Sequence, residues 1–195
     1  MSGMPRWEPD AARRLYEAAF ELYTERGYEQ TTVAEIAARA GLKERSFFRH
    51  FADKREVFFQ SSDEFRTALL EPVAVAPASA TPLEAVTAGL EAAGSAFPLE
   101  LVRRRHALIL ANPELQEREL QKLASLGASL ADTLRQRGVP DTAAELAAST
   151  GITILRTALA RWVNDPAEQP WTIHLHKTID ELRTLTGERT AASQT

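Results

Sequence analysis

The stretch TTVAEIAARAGLKERSFFRHF, residues 31–51, leaves room for two short helices joined by one tight turn. Thr32 and Glu35 stand three apart ahead of an apolar run, the spacing of a capping box: the hydroxyl satisfies an orphan amide and the carboxylate reaches back to the cap. A helix opened at Thr32, with Val33, Ile36 and Ala37 facing inward, ends near Ala40, because Gly41 permits the positive φ of a turn and Leu42 returns to the core. A second helix from Glu44 to about Phe51 puts Phe47 and Phe51 at i and i+4 on its buried side. Arg45 and Arg49 share that spacing on another face, flanked by Glu44 and Phe48. Ahead of both, Ala12, Leu15, Ala19 and Leu22 mark an amphipathic helix from Ala11 to Arg26, closed by Gly27. Short helix, glycine turn, short helix with exposed cations is an arrangement that a DNA major groove can receive.

Charge supports the same reading. The chain carries a net charge of −4 over 195 residues, yet residues 39–55 hold six cations (Arg39, Lys43, Arg45, Arg49, Lys54 and Arg55) against Glu44 and Asp53. One short stretch is locally basic, the footprint a polyanion requires, although a solvated helix face would show the same charge run. The absence of cysteine excludes a disulfide framework, a thiolate metal cage and a cysteine nucleophile. The opening MSGMPRWEPD lacks a signal-peptide pattern and no apolar run is long enough to span a bilayer, so the expectation is a cytoplasmic protein.

Residues 15–59, LYEAAFELYTERGYEQTTVAEIAARAGLKERSFFRHFADKREVFF, resemble the N-terminal DNA-binding domain of the TetR family of transcriptional regulators. The resemblance rests on R-G-Y, then T-T-V-x-x-I-A, then A-G-L, then F-F-x-H-F-x-x-K at the family's offsets. It implies roles for particular residues. Thr32 looks like a phosphate contact at a helix start, and Glu44, Arg45 and Arg49 occupy positions that reach base edges. Ser46 and His50 sit where the family touches the DNA backbone, and Lys54 matches its phosphate-binding lysine. Lys43 stands where a serine often caps the recognition helix, which adds a phosphate contact and removes a cap. Phe48 replaces a frequent tyrosine, so one hydroxyl-to-phosphate bond is missing.

The rest of the chain shows no strand pattern, and the expected fold is all-α with about nine helices. A helix-turn-helix domain over residues 1–54 would precede a helical ligand-binding and dimerisation domain over 55–195. The fourth helix is expected from Asp53 to Glu71, stopped by Pro72, before the loose connector VAVAPASATP. Thr81 and Pro82 open a helix to about Phe97, LELVRRRHALILA ends at Asn112, and further helices run over about 113–137, 141–164 and 172–186. The resemblance implies that 141–164 and 172–186 pair with a second subunit as a four-helix bundle. The small residues Ala147, Ala148, Gly151 and Ala158 permit close approach either within one subunit or between two. Two-fold pairing suits a palindromic site with half-sites about 34 to 36 Å apart.

Candidates for holding an unidentified small-molecule ligand are Arg103, His106, Asn112 and Trp162. Surface charge, a structural histidine and packing are the ordinary alternatives for them. No cofactor and no metal site are expected: His174 and His176 diverge on a helix, and no glycine loop cradles phosphate. Ser46, His50 and Asp53 recur at i, i+4 and i+7, but a short exposed helix offers no oxyanion hole or water-excluding pocket, so an enzyme is not expected. The resemblance implies a ligand-responsive, homodimeric DNA-binding repressor. The alternatives are a helical protein-interaction module without specific DNA binding, or an activator of the same family.

Overall fold

A computed structural model describes residues 11–187 of the chain. Among them there are ten helices and no strand: α1 (Ala11–Arg26), α2 (Val33–Arg39), α3 (Glu44–His50), α4 (Lys54–Phe58), α5 (Ser62–Val75), α6 (Pro82–Ser95), α7 (Leu99–Ala111), α8 (Pro113–Gln136), α9 (Asp141–Val163) and α10 (Trp171–Leu185). The chain divides into two compact units, one running to Asp63 and including Ala107–Glu119, the other formed by Glu64–His106 and the residues from Leu120 onward.

The single fourth helix expected from Asp53 to Glu71 is instead two, α4 and α5. Val57, Phe58 and Phe59 are all buried. Successive helical residues point about 100° apart, so three in a row cannot share one buried stripe. Phe59 therefore leaves the helix, and short-range bonds from the Phe59 amide to the Glu56 carbonyl and the Ser62 amide to the Phe59 carbonyl carry the chain round. Pro72 also fails to stop α5, which runs on to Val75. The lost amide bond is offset by packing: Leu69 and Val73 are fully buried, and a Cβ on Gly89 of α6 would fall 2.4 Å from the Leu69 carbonyl oxygen and 2.8 Å from a Val73 methyl. Only glycine at 89 lets α5 and α6 approach so closely.

In the first unit, Leu15, Ala19, Leu22 and Tyr23 of α1 pack with Ile36, Ala37, Phe47, Val57 and Phe58 in one core. In the second, α9 lies against α6 and α10 around Val86, Leu90, Leu155, Trp162, Trp171 and Leu175. Ala148, Gly151 and Ala158 are buried within this unit, and a Cβ on Gly151 would meet Val86 at 2.5 Å. The small residues of α9 thus serve close packing inside one subunit. A similar close approach sets the Trp171 indole on Gly94, where its Nε1 donates to the Leu90 carbonyl at 2.8 Å.

Candidate nucleic-acid interface

The capping box is complete: Glu35 amide donates to the Thr32 hydroxyl at 3.3 Å, and the Thr32 amide donates to a Glu35 carboxylate oxygen at 2.9 Å. The Thr32 hydroxyl gives its proton to the same carboxylate at 2.8 Å, and Arg26 pairs with Glu35 at 3.0 Å. Both donors of Thr32 are therefore engaged, and a phosphate at this helix end would compete with a carboxylate already there. Gly41 turns the chain at φ +68°, and Arg14 donates to the Ala40 carbonyl, holding the end of α2 on α1. Lys43 precedes α3 without a side-chain cap, as its chemistry dictates.

α3 is held by its apolar side. Phe47 is fully buried and Phe51 nearly so, their ring centroids 5.6 Å apart. The opposite side exposes Glu44, Arg45, Phe48 and Arg49, with His50 beside them; Ser46 is half-buried.

The six cations of residues 39–55 divide into two groups of three. Arg39 pairs with Glu21 at 3.1 Å and Glu25 at 2.9 Å, and these carboxylates raise its already high pKa. Arg55 pairs with Asp53 at 2.7 Å, while Asp53 also caps α4 by accepting from the Arg55 and Glu56 amides. Lys54 donates from Nζ to the carbonyls of Tyr28 at 3.0 Å and Thr31 at 3.4 Å, and lies 4.1 Å from the centre of the Tyr28 ring. Lys43, Arg45 and Arg49 have no carboxylate partner among the described residues, and Arg49 makes only a 3.5 Å approach to the His50 ring. Charge without a carboxylate partner thus remains on Lys43, Arg45, Arg49 and Lys54, and of these only Lys54 is tied to carbonyls of its own unit.

Further bonds fix the unit beneath this face. Tyr23 donates to the Lys54 carbonyl at 2.6 Å, and Tyr28 donates to Glu114 at 2.9 Å. Burial raises the pKa of both phenols, so each remains a neutral donor. Asp53, spent on Arg55 and two amides, is not oriented as the third member of a Ser46, His50, Asp53 arrangement.

The four ligand candidates lie in different settings. Arg103 donates to the carbonyls of Val163 at 3.0 Å and Asp165 at 2.6 Å and pairs with Glu168 at 2.6 Å, closing the C-terminal end of α9. Trp162 donates to the Gln169 carbonyl at 3.1 Å and stands edge-on to Trp171. His106 is half-buried in the second unit, whereas Asn112 belongs to the first, where its side chain donates to the Leu108 carbonyl at 2.6 Å. His174 and His176 are held apart by separate carboxylates, Asp165 at 3.1 Å and Glu91 at 2.5 Å. Sequence reasoning overlooked a groove of about 540 Å³ between α8 and α9, floored by Leu123, Gly127, Ala131, Ala148 and Ile152, with Arg135 and Arg156 on its rim. Its signal was present as small residues at helical spacing, Ala124, Gly127, Ala128 and Ala131. Arg135 is already bound by Asp132, Asp141 and Glu145.

Comparison with known proteins places the chain in a family. A family model for bacterial regulatory proteins of the tetR family matches residues 15–60, and one for the MftR C-terminal domain matches residues 80–186, more than half of the chain. The chain belongs to the TetR family of transcriptional regulators. The HTH-type transcriptional regulator TcmR of Streptomyces glaucescens is 39% identical over 79 residues, 40% of this chain and 35% of TcmR, so the match spans about a third of that relative. The HTH-type transcriptional repressor Rv3405c of Mycobacterium tuberculosis is 27% identical over 154 residues, 77% of this chain and 73% of that protein. Among solved TetR-family structures, Thermus thermophilus FadR, a repressor in complex with lauroyl-CoA, shares the fold with a TM-score of 0.53 at 24% identity, covering 94% of this chain and 99% of FadR.

Proposed function

We propose that this TetR-family regulator is a sequence-specific repressor that binds a palindromic DNA operator as a homodimer and responds to a small molecule. The observation that carries the reading is the division of the cations: Arg39, Lys54 and Arg55 are spent inside the unit, while Lys43, Arg45 and Arg49 are left open on the outer side of α3. An uncommitted arginine pairs bidentately with guanine in a major groove, worth about 1 to 3 kcal/mol of discrimination, and a lysine beside it neutralises phosphate. Glu44 accepts from a cytosine amine on the same face, and Ser46 and His50 contact the backbone.

Dimerisation would use α9 and α10, residues 141–164 and 172–186, through surface the subunit core does not consume, including exposed Leu146 and Ile173. Repression is favoured by the relatives named as repressors. Ligand response is favoured by the groove of the second unit and by the acyl-CoA bound in a protein of the same fold. The domain division proposed from sequence, 1–54 for DNA and 55–195 for ligand and partner, assigns these tasks. Selection of duplexes from a random library by the purified protein, followed by salt titration on the enriched site, tests the reading. A palindrome whose affinity falls steeply with salt is the expected result; no enrichment at modest salt would sink it.

A further inference from the structure

Phe48 is 55% exposed, a large apolar ring in water on the one face of α3 that carries the free arginines. On this helix it lies four residues after Glu44, three after Arg45 and next to Arg49, so it stands among the groups that reach a base edge. Its ring is not loose: it packs edge-on to the buried Phe47, with centroids 5.5 Å apart and planes at 78°. That contact holds the ring in place before any DNA arrives, which reduces the ordering cost of a contact made through it.

Phenylalanine offers no donor or acceptor, so phosphate oxygens and the polar atoms of base edges cannot be its partners. The major groove presents one apolar group, the C5 methyl of thymine. We infer that Phe48 is a specificity-determining residue that reads a thymine methyl, placed between the bases contacted by Arg45 and Arg49. The inference rests on the DNA-reading assignment made above and adds to it a position where the half-site must carry a methyl.

The test uses the full chain and the duplex it selects from a random library. Each thymine of the half-site is replaced in turn, in both half-sites together, by deoxyuridine, which lacks only the methyl. Binding is read by fluorescence anisotropy. For one symmetric pair the wild type should lose about three- to fourfold per methyl, roughly tenfold in all. Phe48→Ala should bind the thymine and uracil duplexes equally, and Phe48→Leu should keep part of the difference. Because the contact is uncharged, Phe48→Ala should leave the slope of log affinity against log salt unchanged. Circular dichroism melts check that both variants fold, as an exposed side chain should allow. Wild-type indifference to every methyl, an equal methyl effect in Phe48→Ala, or a salt slope reduced by about two in that variant, one phosphate per subunit, would each overturn the assignment. Failure to enrich any duplex would instead sink the DNA-reading assignment on which it rests.

Discussion

Replacing Lys54 by methionine separates two roles for the same side chain, a phosphate contact and an internal brace. Methionine keeps the length and apolar stem but removes the ammonium that donates to the Tyr28 carbonyl at 3.0 Å and the Thr31 carbonyl at 3.4 Å and sits 4.1 Å over the Tyr28 ring. Hydrogen bonds from a charged donor contribute about 1.5 to 3 kcal/mol, and a cation over an aromatic ring about 0.5 kcal/mol where exposed, rising to about 2 kcal/mol over a buried ring such as Tyr28. Part of this is recovered, since the Tyr28 carbonyl keeps the Thr31 amide as a partner at 3.2 Å and both sites are only partly buried. The expected net loss is about 2 kcal/mol, a fall in the urea midpoint of about 1 M for an ordinary denaturant dependence. On operator DNA, an ammonium held on two carbonyls of its own unit does not sit on a phosphate, so the salt slope of Lys54→Met should match the wild type, whereas loss of a true phosphate contact lowers it by about 0.9 per subunit, about 1.8 for the dimer. Urea unfolding and anisotropy at several salt concentrations give both readings from one preparation. A variant with wild-type stability and a slope reduced by about two would refute the brace and return Lys54 to the DNA.

Arg39→Ala removes pairs with Glu21 and Glu25 that are largely exposed, so stability should change by less than about 1 kcal/mol and the DNA salt slope should not change, whereas Arg45→Ala and Arg49→Ala should each weaken binding and relax base preference at one position. Equal effects of all three on anisotropy titrations would show that the division of cations is wrong. Gly94→Ala would set a Cβ 2.2 Å from the Trp171 indole, and displacing that ring should cost about 1 to 3 kcal/mol and lower the melting temperature by roughly 5 °C; an unchanged melt would mean that the indole moves freely. The Thr32 amide, with its hydroxyl and Arg26, holds the Glu35 carboxyl below the usual range, so its contribution is present above an unfolded pKa of about 4.3 and is lost as pH falls through the folded value. Glu35→Gln should accordingly flatten the acid limb of a urea-midpoint profile measured from pH 6 to pH 3, and an unaltered profile would remove Glu35 as its source.

The helix-turn-helix was legible because its signals are local. A capping box, a glycine turn and two phenylalanines one helical turn apart act within four residues of one another, and no distant contact needs to be known to read them. The exposed face of α3 followed from the same periodicity. Which cations are free was not legible, since Glu21 and Glu25 reach Arg39 from fourteen or more positions away and Lys54 finds carbonyls more than twenty residues earlier. The groove between α8 and α9 was hidden for a related reason: small residues at helical spacing look alike whether they line a groove or fill a core.

The amino-acid sequence by itself determined that the described chain is helical, where most of its helices begin and end, and that α3 turns Arg45, Phe48 and Arg49 outward, because capping, turn chemistry and the 3.6-residue repeat operate over one or two turns. Tertiary structure alone decided that α4 ends at Phe58, that α5 continues through Pro72, and that Ala148, Gly151 and Ala158 pack within the subunit. In each case a local preference worth a few kcal/mol was overridden by buried surface contributed from residues far along the chain, as when Gly89 admits Leu69 and Val73.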